Sequence, residues 1–148
     1  MKNVIFAALL LGASIVPAHA ETSQTTQMIK SIDAFVTAHA GELVDDKLTP
    51  AQVVQMKLIA HQAAVAASCD GFTLSEKKFV SAFSKLAHMQ EAGMNDAEKT
   101  YFERHLLVTY GVMLGGALAV AAPDPAGFCA DAEDERADPE FASMSVWE

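Results

Sequence analysis

Apolar residues recur at intervals of three and four along most of the chain beyond residue 20, and no stretch alternates strictly between apolar and polar positions. This periodicity predicts an all-α protein, a small compact bundle of about four helices. The first covers about 26–44 and sets Ile29, Ile32, Val36 and Leu43 on one side. The second opens at Thr49-Pro50, a cap residue followed by a proline at the first helical position, and runs to about Ser68. Thr73-Leu74-Ser75-Glu76 reads as a capping box that starts the third, the threonine and the glutamate each satisfying a free backbone donor of the other. Phe79, Val80, Phe83, Leu86 and Ala87 make its apolar side, with Lys77, Ser81, Lys85 and His88 opposite. Asn95-Asp96-Ala97-Glu98 repeats the capping logic for a long fourth helix, expected to end before Pro123-Asp124-Pro125 because proline lacks the N–H that a helix interior needs.

One apolar run stands apart from this pattern. Met1-Lys2-Asn3 supplies a positive end, residues 4–16 are almost entirely apolar, and Pro17-Ala18-His19-Ala20 ends in an Ala-x-Ala pattern. That order predicts a secretory signal peptide at 1–20, cleavage after Ala20, and export to the periplasm or beyond the cell. The expected organisation is then a helical domain at 21–130 and an acidic, flexible tail at 131–148.

A second run, 106–122, is seventeen residues without a charge and contains Gly111-x-x-x-Gly115. As a membrane span it would place the acidic C-terminal region in the cytoplasm, where Lys and Arg are favoured, and would separate the two cysteines. The expectation is therefore no membrane span in the mature chain, but a central helix surrounded by its neighbours.

Charge changes the picture mainly at the C-terminus. Residues 21–122 hold eleven acids and eight bases, whereas 123–148 hold eight acids against Arg136 alone. A chain of net charge -9 repels nucleic acid and favours a cation or a basic protein partner. Within the tail, Phe141, Met144, Val146 and Trp147 are too few for a core of their own, which makes Phe141 and Trp147 candidate partner-binding anchors.

The two cysteines carry the clearest candidate chemistry. Cys69-Asp70-Gly71-Phe72 lies between the second and third helices, where a calcium loop is one reading. With Asp70 and Gly71 at loop positions five and six, however, positions one, three and twelve fall on Ala66, Ser68 and Lys77, too few oxygen ligands for the ion. A catalytic thiol needs a base within reach, and His61 lies two helical turns away, roughly 12 Å along the axis. In an oxidising compartment two cysteines pair, so a Cys69–Cys129 disulfide is expected. The helix-turn-helix stretch from about Ala60 to Leu86, with Asp70-Gly71 at its turn, resembles the tellurite-resistance family of helical domains but lacks that family's acidic metal-binding residues. In overall build, with Cys69-x-x-Phe72, the chain is similar to the periplasmic acid-stress chaperones.

His39 falls among Met28, Ile32, Phe35 and Leu43, and His61 among Val54, Leu58 and Val65, so both imidazoles are expected on apolar faces. A buried His39–His61 pair, joined by Met56, Met89 or Met94, would hold a soft metal or haem. Two satisfied core histidines with no cofactor are the expectation, since spacings such as His-x-x-x-His are absent. No glycine-rich phosphate loop, Gly-x-Ser-x-Gly or His-Glu-x-x-His occurs. The sequence thus points to a non-enzymatic exported protein that works by protein binding, as an inhibitor or immunity-type protein or as an acid-stress chaperone. The alternative is a metal or haem carrier using His39 and His61.

Overall fold

The computed structural model describes residues 31, 34–36, 38–39, 42, 48–88 and 93–148, with the backbone alone at 87 and 88. The signal-peptide pattern, most of the first predicted helix and Met89 lie outside these residues, as do the side chains of Ala87 and His88. The residues described between 31 and 42 are helical. Five helices follow: α1, Pro50–Ser68; α2, Glu76–His88; α3, Asp96–Ala121; α4, Pro125–Ala137; and α5, Pro139–Ala142. The fold is all-α and compact, as the periodicity predicts.

Local chemistry sets the helix ends. Thr49 caps α1, its hydroxyl accepting from the Gln52 N–H while the Gln52 side chain accepts from the Thr49 N–H. Asn95 and Glu98 form the same reciprocal pair at the start of α3. Proline has two roles after α3. Pro123 ends the helix, whereas Pro125 sits in the first turn of α4, where its missing N–H is not needed, and Asp124 caps that turn by accepting from the Gly127 N–H. Asp138 and Pro139 repeat the device in α5.

The main core lies where α1, α2 and α3 meet, the α1–α3 contact being the most extensive. Met56, Ile59 and Ala60 of α1 pack there with Leu86 of α2 and Phe102, Leu106 and Met113 of α3. Tyr110 closes the α2 side, edge-on to Phe79 and Phe83. A second, smaller cluster gathers Val65, Cys69, Phe72, Ala132 and Trp147 at the far end of α1. The expected Cys69–Cys129 disulfide is formed there and ties α4 to the turn after α1.

Three expectations are corrected. The segment 131–148 is not a detached tail, because α4 continues into it as far as Ala137, α5 follows, and its C-terminal end is docked, with Trp147 only 2% exposed. Thr73 does not cap α2. Residues 73–75 are extended and pair antiparallel with 146–148: the Ser75 N–H donates to the Val146 carbonyl, the Glu148 N–H donates to the Thr73 carbonyl, and Leu74 faces Trp147 across the bridge. Backbone pairing with the C-terminal segment thus overrides the local capping signal. Nor is α3 enclosed on all sides. Leu107 and Val108 are each 58% exposed, and Tyr101, Gly111, Val112, Gly115 and Leu118 share that outward side. By length and composition α3 is apolar enough to cross a membrane, with 28% of its apolar window buried.

Candidate functional site

Residues on α1, α3 and α4 enclose a groove of about 480 Å³. Its walls are apolar: Val53, Val54 and Leu58 from α1, Met113, Gly116, Ala117 and Val120 from α3, and Phe128 from α4, with Val36 at one edge. The spacing of 54, 58 and 61 on α1 and of 113, 116, 117 and 120 on α3 puts each set on one helical face, so two neighbouring helices suffice to line it. Gly116 also lines the groove, and a Cβ there would meet the Val36 side chain at 3.8 Å, an ordinary van der Waals contact.

Four ionisable residues make the polar rim in two rows. Lys57 and His61 lie one turn apart on α1, and Asp131 and Glu135 lie one turn apart on α4. His61 Nε2 is 2.9 Å from Glu135 Oε2, and the two side chains are 27% and 33% exposed. The edge of the Phe128 ring meets the imidazole with centroids 5.4 Å apart, which fixes the plane of His61. His61 is thus a half-buried rim residue that joins α1 to α4, not a core histidine.

His39 is elsewhere. Its Nδ1 lies 2.8 Å from Glu42 Oε2, its ring packs on Phe35, and its side chain is 43% exposed, so the expected burial does not occur. The structure does not bring His39 and His61 onto shared partners. Of the methionines considered with them, Met56 is fully buried in the apolar core and Met94 packs against it. Among the described residues no group of three or more His, Cys, Asp or Glu side chains is arranged to hold a metal ion. Both sulfurs are consumed in the disulfide, so Cys69 carries no nucleophilic thiol.

The proposed partner anchors have an internal role. Trp147 packs edge-on to Phe72 and against Phe141, and its indole N–H donates to the Gln62 carbonyl at 2.9 Å. Gln62 is the residue that sequence reasoning missed. Its side-chain oxygen accepts from the Val146 N–H and its amide donates to the Met144 carbonyl, so one glutamine holds three points of the C-terminal segment. Lys78 adds a fourth by donating to the Trp147 carbonyl at 2.6 Å. The available signal was a polar residue on the buried stripe with Ile59 and Val65, because a buried amide must find partners. Arg136 completes this end of the molecule: it pairs with Glu133, donates to the Gly71 carbonyl and lies 4.5 Å over the Phe72 ring. Gly71 adopts φ 83°, a conformation that a side chain would strain.

Compared with known proteins, the chain matches no protein-family model, no curated protein and no solved structure. Function must therefore be argued from the surface chemistry of this fold alone.

Proposed function

We propose that the chain is an exported, non-catalytic binding protein that meets another protein through the outward face of α3. The observation that carries this reading is the face itself. Tyr101, Leu107, Val108, Val112 and Leu118 are exposed on a helix whose opposite side packs in the core, and Gly111 and Gly115 leave room between them for a close approach. Contiguous apolar surface of this kind marks a docking site more often than a free surface. Arg104 breaks the stripe near its start, while the net charge of -9 favours a basic partner around the apolar centre.

Two features support export. The signal pattern at 1–20 is one, and the Cys69–Cys129 disulfide, which is consistent with an oxidising compartment, is the other. The apolar face is exposed in the folded protein and does not wait for acid to reveal it. This favours an inhibitor or immunity-type protein over a chaperone unmasked at low pH. A metal or haem carrier would need His39 and His61 to converge, and they engage Glu42 and Glu135 separately.

The test compares capture of proteins from a periplasmic extract by the wild type, by Val108→Glu and by Lys85→Ala. The partner should be retained by the wild type and Lys85→Ala and lost with Val108→Glu, all three keeping the same thermal transition. Equal retention by Val108→Glu would remove α3 as the contact. Stoichiometric metal or haem in the purified wild type, lost from His61→Gln with the fold intact, would restore the carrier reading.

A further inference from the structure

The groove is a second place where something can bind, on the side of α3 opposite its exposed face. Its volume of about 480 Å³ falls within the roughly 300–1,000 Å³ of small-molecule sites, and its construction is that of such a site, apolar walls with a few polar groups along one edge. The rim decides which head group the walls can accept. Glu135 is held by His61 across the seam. Lys57 is engaged in an interaction of its own. Asp131 is the exposed carboxylate of the rim and makes no hydrogen bond or ion pair among the described residues. It sits one turn before Glu135, on the same side of α4. An anionic head would meet two carboxylates in a chain of net charge -9, whereas a cationic head would meet the one that is uncompensated.

We propose that the groove between α1, α3 and α4 binds an amphipathic ammonium compound, its hydrocarbon part against Leu58, Met113, Ala117 and Val120 and its cationic nitrogen beside the Asp131 carboxylate. Apolar burial between the helices supplies most of the affinity, because each methylene removed from water contributes about 0.8 kcal/mol. Asp131 supplies the discrimination between head groups. The rim pair His61–Glu135 keeps α1 and α4 at the separation that the groove needs.

The test is calorimetric titration of the disulfide-bonded protein with dodecyltrimethylammonium and with dodecanoate, both below their micellar concentrations. The ammonium compound should bind one per chain and at least about tenfold more tightly than the carboxylate, a difference of about 1.4 kcal/mol. Asp131→Asn, an exposed change that leaves the packing alone, should abolish that preference. Ala117→Phe should fill the groove and eliminate binding of both compounds, while Val108→Glu on the opposite face should leave binding unchanged. Equal affinity for the two head groups, a preference that survives Asp131→Asn, or loss of binding in Val108→Glu would each overturn the proposal. So would the absence of saturable ammonium binding. Should Ala117→Phe fail to fold, Asp131→Asn and Val108→Glu still decide the matter.

Discussion

Single side chains in this fold are placed where burial raises the stakes of a polar atom. Gln62 is fully buried, yet both ends of its amide are bonded and its carbonyl receives the Trp147 indole N–H. Removing one partner from such a network costs about 1–3 kcal/mol, more than the bond itself contributes, because the group left behind is desolvated and unpaired. Tyr110 shows the same principle with a proton. Burial beside Phe79 and Phe83 raises its phenol above the ordinary value of 10.0, since the charged form would lose water. The sign of the resulting pH dependence follows. Below about pH 10 folded and unfolded states both hold the proton and the contribution is fully present; above it the unfolded chain releases a proton that the folded state retains, so stability falls as pH rises. Urea midpoints measured from pH 9 to about pH 11.5 should therefore fall in the wild type and fall less steeply in Tyr110→Phe. Parallel slopes in the two proteins would show that Tyr110 is not the group responsible.

At the scale of elements, the contrast between α1 and α2 shows which signals in a sequence can be trusted. The start of α1 at Thr49-Pro50 and the capping box of α3 at Asn95-Glu98 involve only neighbours in the chain, and both form as expected. The box expected at Thr73-Glu76 has similar residues, but here 146–148 arrive to pair with the backbone of 73–75, and a long-range partner outcompetes a local one. The C-terminal segment was misread for a related reason. Its acids made it look solvated, and its few apolar residues could not form a core alone; their partners, Phe72, Val65 and the Gln62 amide, lie more than seventy residues earlier. Periodicity reports a helix's apolar stripe but not what covers it, which is also why α3 was read as enclosed and why the His61–Glu135 contact was invisible. Trp147 provides a clean test of the docked segment because it is the one tryptophan of the chain. Its fluorescence should be that of an indole shielded from water, and Trp147→Ala should lower stability by about 3–5 kcal/mol, as large-to-small changes in packed sites do. An emission maximum typical of exposed tryptophan, or a variant as stable as the wild type, would return 143–148 to solvent.

For the whole molecule, the two apolar clusters are stabilised differently, and this difference yields a prediction. The main core rests on helix packing between α1, α2 and α3, whereas the smaller one is closed by the disulfide, Arg136 and the paired C-terminal segment. The crosslink joins residues sixty apart in the chain and encloses the whole of α2 and α3. On the chain-entropy account, a loop of that length restricts the unfolded chain enough to stabilise the fold by about 4 kcal/mol. That is a large share of the 5–15 kcal/mol typical of a folded domain. Cys69 and Cys129 contribute to that loop jointly, so losing either sulfur should have the same consequence. Cys69→Ser and Cys129→Ser are expected to lower the denaturation midpoint by equal amounts, and the double variant should be no less stable than either single one, because the second substitution removes nothing that remains. Reduced wild type should match them. The loss should be felt first where the crosslink sits: as denaturant rises, Trp147 fluorescence should change before the helical circular dichroism in the serine variants, and together with it in the oxidised wild type. A larger loss in Cys69→Ser than in Cys129→Ser would give Cys69 a role beyond the bond, and coincident transitions in every variant would mean that the small cluster and the main core unfold as one unit even without the crosslink.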